Sequence, residues 1–243
     1  MSENPLLPHR KLHQLHALML RCRELERKQR GRNKNSAGPA REALLAATSM
    51  HLLPGDLLSV SPKDFVAAQL APEAKKPGMT TILSPSSSAR LSLCAAAALG
   101  LQASGTDGFV LAFADAASPE PGWLEALGWA QASQLPLILA CTDQTAGRTR
   151  PSKASQPAFD YAALSKFARR SKLPILTVDG EDAVAVYRVM QESVLRARLG
   201  SGPAVIWAVM TPVTPAAPKL PRSAQPVARL EKYLAVRNIP FGR

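Results

Sequence analysis

Cysteine is scarce in this sequence: 243 residues hold three, Cys22, Cys94 and Cys141, widely separated and each set among apolar neighbours. An odd, scattered set excludes a disulfide-stapled scaffold and Cys-rich zinc spacing, and it predicts reduced core thiols in a cytoplasm-like compartment. Aromatic residues make up 5% of the chain, and none interleaves the basic residues near the N-terminus, which argues against a base-stacking nucleic-acid surface. Histidine is limited to His9, His13, His16 and His51, the first three read as surface groups on a basic helix. No apolar run reaches the roughly 18 residues of a membrane span, and the start lacks the basic-then-apolar pattern of a secretory signal. The expectation is a soluble, cytoplasmic protein without a membrane partner. A P-loop, a complete Gly-x-Gly-x-x-Gly, a zinc-ligand spacing and a Ser-His-Asp set are missing, which removes the usual hydrolase, nucleotide and zinc readings. There is no internal repeat.

What is present is enough apolar material, 46% of the residues, to bury one large core. The net charge is +12, and half of that excess lies in residues 1–35, where nine Lys or Arg face Glu3, Glu24 and Glu26. The basic run Arg21, Arg23, Arg27, Lys28, Arg30, Arg32 and Lys34 suits a solvated helix face, or else an acidic protein or nucleic acid drawn by long-range attraction. Charge alone selects none of these, and nucleic acid is not the expected partner.

Leu12, Leu15, Met19, Cys22 and Leu25 recur every three or four residues, predicting an amphipathic helix over 9–30. The stretch 31–38 breaks it, and Pro39 is placed to open a second helix over 39–52, followed by a Pro54-Gly55-Asp56 turn. Four short, unbroken apolar runs follow: Phe109–Ala114, Leu137–Cys141, Pro174–Val178 and Ala204–Val209. Continuous rather than alternating apolarity predicts strands covered on both faces. Helical segments near 87–103, 121–133, 158–171 and 181–199 separate them. The fold class is therefore α/β, a three-layer parallel sheet with helices on both faces. Pro212, Pro215, Pro218, Pro221 and Pro226 exclude helix and interior strand over 210–226 and predict an extended arm, before a last helix over 227–237. The expected organisation is a basic helix and linker at 1–38, the α/β domain at 39–209, and an arm with a C-terminal helix at 210–243.

Ligands of open parallel sheets bind at the carboxyl ends of the strands. After the first run stands Ala114-Asp115-Ala116-Ala117-Ser118-Pro119, and after the second Thr142-Asp143-Gln144-Thr145-Ala146-Gly147. This layout resembles the alpha subunits of thiamine-diphosphate-dependent 2-oxo acid dehydrogenases (pyruvate, branched-chain and acetoin), whose strands end in Gly-Asp-Gly and Asn-Asn. Leu18–Glu26, Arg41-Glu42-Ala43 with Leu53–Asp56, Val178–Tyr187, Arg196–Arg198 with Gly202-Pro203, and Pro226–Leu234 resemble further segments of that family in the same order.

The resemblance implies the diphosphate-binding half of a thiamine enzyme, with thiamine diphosphate held through Mg²⁺. It places Asp115 as the carboxylate ligand, Gln144 at the amide ligand 29 residues later, Ala146 as a carbonyl ligand, and Lys63 where the family carries a cation. It also implies oxidoreductase chemistry, decarboxylation of a 2-oxo acid and acyl transfer to lipoamide, with a beta-type subunit in an α2β2 heterotetramer, or else self-association. No catalytic residue of that chemistry belongs to this chain. The motif is altered: Ala114 and Ala116 stand where the family has glycines, a Cβ there obstructs the approach of phosphate, Asp143 brings a second negative charge, and Gln144 is one methylene too long. A pseudoenzyme is the expected version. Read without the family, Asp115, or Ser118 with Pro119 behind it, is a candidate cap for the following helix.

Overall fold

A computed structural model describes residues 7–32, 41–60, 65–70, 80–83, 90–116, 122–144, 160–212 and 221–241. In chain order the elements are α1 (His9–Arg32), α2 (Glu42–Ser49), β1 (Leu57–Val60), α3 (Phe65–Leu70), β2 (Thr80–Leu83), α4 (Arg90–Ala103), β3 (Val110–Asp115), α5 (Trp123–Ala132), β4 (Leu137–Asp143), α6 (Tyr161–Ser171), β5 (Ile175–Asp179), α7 (Ala183–Arg198), β6 (Ala204–Val209) and α8 (Pro226–Val236). The strands form one six-stranded sheet in the order β2-β1-β3-β4-β6-β5, and every pairing is parallel.

Alternate strand residues enter two separate cores, as the period of two requires. Leu111, Phe113, Ile138, Ala140, Ile206 and Ala208 pack against α1, α2, α3, α7 and α8. Val110, Ala112, Leu139, Cys141, Val205 and Trp207 pack against α4, α5 and α6. Leu12, Leu15, Met19 and Cys22 of α1 are buried in the first of these cores, so the basic helix is part of the fold, with Arg10, Arg21, Arg27 and Lys28 exposed. Cys22, Cys94 and Cys141 are buried and form no disulfide. Among the described residues no helix is long and apolar enough to cross a membrane.

Local chemistry sets the element ends. Asp160 caps α6 by accepting from Ala162 N, and Asp182 caps α7 by accepting from Val184 N and Ala185 N. Pro226 occupies the first turn of α8. At the amino ends of β1 and β3, the fully buried Asp56 accepts from Leu53 N at 2.8 Å, Phe109 N at 3.1 Å and Arg198 Nη2 at 2.7 Å. The Pro-Gly-Asp turn thus ties β1, β3 and the end of α7 together.

Several expectations are corrected. Strands β1 and β2 and the short α3 went unread, because each has only four to six residues and too little pattern to separate from a loop. The run Pro174–Val178 is not covered on both faces: β5 ends the sheet, with Ile175 and Leu176 half-buried and Thr177 exposed. The helix expected over 121–133 starts at Trp123 with Gly122 at its N-cap and no side-chain cap bond. Asp115 is therefore not its cap, while Ser118 and Pro119 lie outside the described residues. Pro39 and the arm residues 213–220 lie outside them too.

Candidate functional site

Topology decides where this sheet opens. Strand β1 leads into α3 and β3 into α5, on opposite faces. In open parallel sheets such a divergence marks the carboxyl ends of these neighbouring strands as the place where ligands bind. The same divergence recurs between β4, which leads to α6, and its neighbour β6, which leads to α8. The rim between the two openings is made by the ends of β3 and β4.

That rim carries most of the residues singled out by the sequence. Asp115 is the last residue of β3 and lies in register with Thr142 of β4. Asp143 ends β4, and the half-buried Gln144 follows it. The backbone brings Asp115 and Ala116 beside the Asp143-Gln144 pair. Lys63 and Ala146 lie outside the described residues. Asp115 itself is half-buried.

The rim is closed by bonds within the protein. Ala116 N donates to Thr142 O at 2.8 Å, and Thr142 Oγ1 donates to Ala114 O at 3.3 Å. Ala114 and Ala116 are buried against the core beneath α4 and α5, so their methyl groups fill space that glycine would leave open. Asp143, 8% exposed, accepts a hydrogen bond from Trp207 Nε1 at 3.1 Å. Its carbonyl accepts from Met210 N at 2.7 Å. The indole thus holds the Asp143 carboxylate by an internal donor.

Two residues at the neighbouring crevice were not anticipated. Arg90 opens α4 and is buried, with Nη1 3.4 Å from Ser59 Oγ on β1. A guanidinium at this depth puts a fixed positive charge at the carboxyl end of β1. The only sequence signal for it was a lone Arg before an uncharged helix, which reads as easily as a helix start. Trp207 was read as a core strand residue, and its polar edge gave no signal.

The histidines stand away from this rim. His9 and His13 are exposed, as expected of surface groups. His16 is not: it is 6% exposed, with Nε2 3.2 Å from Glu231 Oε1 and the Phe241 ring packed edge-on at 5.5 Å. It lies on the inward side of α1, facing α8, and the helix period assigns it there once Leu12, Leu15 and Met19 are buried. His51 stacks on Tyr187 at 4.4 Å. Among the described residues no group of three or more His, Cys, Asp or Glu is placed to hold a metal ion.

Residues 62–213 match the family model described as Dehydrogenase E1 component. The alpha subunit of acetoin:2,6-dichlorophenolindophenol oxidoreductase from Bacillus subtilis (strain 168) is 34% identical over 98 residues, 39% of this chain and 27% of that protein. Among solved structures, benzoylformate decarboxylase from Polynucleobacter necessarius superposes with a TM-score of 0.52 at 15% identity, covering 69% of this chain and 32% of that one. A protein described as thiamin diphosphate-dependent, from Mycobacterium smegmatis, gives 0.51 at 16% identity over 69% and 32%. At these identities the two structures speak to the fold alone. The chain spans between a quarter and a third of the length of these relatives.

Proposed function

We propose, on the premise that this chain belongs to the dehydrogenase E1 component family, that it is an alpha-type subunit which keeps the fold and the pairing role but binds thiamine diphosphate weakly or not at all. Its work is then assembly or regulation with a beta-type subunit in an α2β2 complex, and the beta-type partner brings whatever catalytic groups the reaction needs. The partner inference rests on the relative from Bacillus subtilis being a subunit alpha.

The observation that carries the loss of cofactor binding is the set of residues at the rim, with the Asp143 carboxylate bonded internally. Mg²⁺ demands a short octahedral shell of oxygens, for which the rim offers Asp115 and, one methylene too long, Gln144. Between them the Asp143 carboxylate adds negative charge where diphosphate oxygens would come, and its acceptor atom is satisfied by the Trp207 indole. The methyls of Ala114 and Ala116 are buried in the core beneath α4 and α5 and fill the space that glycines would leave there. These residues fit a metal-bound diphosphate poorly, so no catalytic step is assigned through it.

Calorimetric titration of the chain with thiamine diphosphate and Mg²⁺, with and without a beta-type subunit, tests this. The expected result is no Mg²⁺-dependent heat from the natural sequence. Ala114→Gly, Ala116→Gly, Asp143→Asn and Gln144→Asn together should create it. Tight, Mg²⁺-dependent binding by the unmodified chain that disappears in Asp115→Ala would overturn the proposal.

The rival in which the basic N-terminal face is a nucleic-acid or acidic-partner site loses two of its charges. Arg23 is spent on Glu42 Oε1 at 2.8 Å and Gln225 Oε1 at 2.9 Å, and Lys28 pairs with Glu24 at 2.7 Å.

A further inference from the structure

A cavity of about 1020 Å³ opens between the carboxyl ends of β5 and β6 and one face of α8. It lies beside the rim, joined to it by the Met210 N–Asp143 O bond, but Asp115 and Gln144 are not among the residues that line it. Its apolar lining comes from Val178, Met210 and Val236, and Thr177 and Thr211 also border it. The α8 wall presents Arg229, Lys232, Tyr233, Val236 and Arg237, the i, i+3, i+4, i+7, i+8 pattern of a single helix face.

The charges on this wall divide into a spent set and a free set. Arg229 Nη2 lies 2.7 Å from Asp179 Oδ2, and its guanidinium also comes within 3.8 Å of Glu181 and 3.9 Å of Asp182. Glu181 is further satisfied by Thr211 N at 2.9 Å and Thr211 Oγ1 at 3.0 Å. Those three carboxylates and one cation form a closed network fastening α8 to the end of β5. Lys232 and Arg237 are exposed, and neither has a carboxylate partner among the described residues. The neighbouring Glu231 points its carboxylate at His16. The Arg237 guanidinium lies 3.9 Å over the Tyr233 ring. Stacking uses the flat face of the guanidinium and leaves its in-plane N–H donors for an anion, and the stack fixes its position.

Two unpaired cations beside an apolar floor and a fixed aromatic ring match a dianionic head on an apolar body. We propose that this cavity binds an organic phosphate monoester, with the phosphate between Lys232 and Arg237 and the apolar body against Val178, Met210 and Val236. The Arg229 guanidinium is taken up by its own carboxylates and does not contact the head. Nothing in this depends on whether the Asp115 rim binds cofactor.

The test uses the full chain and phenyl phosphate as the probe, with inorganic phosphate and benzyl alcohol as head-only and body-only controls. Binding is read by calorimetry and by the methyl carbon resonance of Met210. Phenyl phosphate should bind at least about tenfold more tightly than either control, since charge-assisted hydrogen bonds and apolar burial act together only in the whole ligand. Each of Lys232→Glu and Arg237→Glu should weaken it by about tenfold or more. Lys166→Glu, an equal charge change on the opposite face of the sheet, should leave it unchanged, and thermal melts confirm that each variant is folded. Three outcomes overturn the proposal: phenyl phosphate binding no better than inorganic phosphate, Lys166→Glu weakening binding as much as the α8 variants, or no shift at Met210.

Discussion

Acidification should destabilise this fold through one imidazole. His51 ends the turn after α2, stacked on Tyr187, and its Nε2 is buried with no hydrogen-bond partner. Burial pushes its pKa from the ordinary 6.5 down to about 4; a backbone bond at Tyr187 resists this, and the positive charges of Lys11 and Arg198 add to it. A proton on Nε2 would find no acceptor, so the folded state takes it up only in strong acid while the unfolded chain takes it up near pH 6.5. The unfolded state therefore binds more protons between those values, and stability is complete above about pH 6.5 and is lost as pH falls toward 4. At about 1.4 kcal/mol per pH unit the loss comes to about 3 kcal/mol, a large part of the roughly 5–15 kcal/mol by which domains are stable. Carboxylates titrate in the same range, so the assay is a difference: denaturant unfolding of the natural chain and of His51→Phe at intervals from pH 7.5 to 4. The gap between the two curves should shift by about 3 kcal/mol in favour of the variant on acidification, with nuclear magnetic resonance placing the His51 titration near 4. An imidazole titrating near 6.5, or two parallel stability curves, would refute the reasoning.

Other residues give equally direct outcomes. Asp56→Ala strands Leu53 N, Phe109 N and the Arg198 guanidinium and should cost about 3–5 kcal/mol in chemical unfolding; adding Arg198→Met should recover part of it, as coupled partners do. Gly180→Ala would set a Cβ 2.3 Å from Met210 Sδ and 3.0 Å from Ala208 Cβ, and a loss of about 1–3 kcal/mol is expected, partly relieved by Met210→Ala. Burial, with Glu26 and Glu42 nearby, pushes the Cys22 thiol well above its ordinary range, so mass spectrometry should find Cys22 unmodified by iodoacetamide until the chain unfolds.

Much of this architecture was legible because the central strands and the long helices announce themselves by pattern. Val110–Ala114 and Leu137–Cys141 are unbroken apolar runs, and α1 keeps its 3.6-residue stripe from Leu12 to Leu25 in otherwise basic sequence. Strands β1 and β2 are four residues each, too short for period to emerge. The rim was legible only in part. Sequence spacing could relate Asp115 to Gln144, but the bond from Trp207 to Asp143 joins positions 64 apart. Nothing local in either segment encodes it. The cavity beside α8 was invisible for the same reason: its cations come from a helix that docks through Val227, Leu230 and Leu234 into a core built by distant parts of the chain. Burial of His16 was recoverable from the helix period and was missed because it was grouped with His9 and His13 as one surface set on a basic helix.

A rim closed by its own bonds behaves differently from one closed by a ligand. In a ligand-closed site, part of the folded state's stability arrives with the ligand, and the size of that part is fixed by occupancy: at a concentration 100 times the dissociation constant it amounts to about 2.7 kcal/mol. For a chain of this length each 1 kcal/mol moves the melting temperature by roughly 2–4 °C, so a competent site would show a rise of about 5–10 °C. Here Ala116 is bonded to Thr142, and Asp143 to Trp207 and Met210, without any ligand. The proposed loss of cofactor binding therefore predicts a melting temperature that thiamine diphosphate and Mg²⁺ at millimolar concentration leave unchanged to within about 1 °C. Asp143→Asn, which keeps an acceptor for the indole but removes the charge, should leave the melting temperature of the free chain nearly as it is, and with Gln144→Asn and the two glycines restored a ligand-dependent rise should appear. A rise of several degrees in the unmodified chain would mean that the rim opens and that its internal bonds are weaker than the diphosphate contacts replacing them.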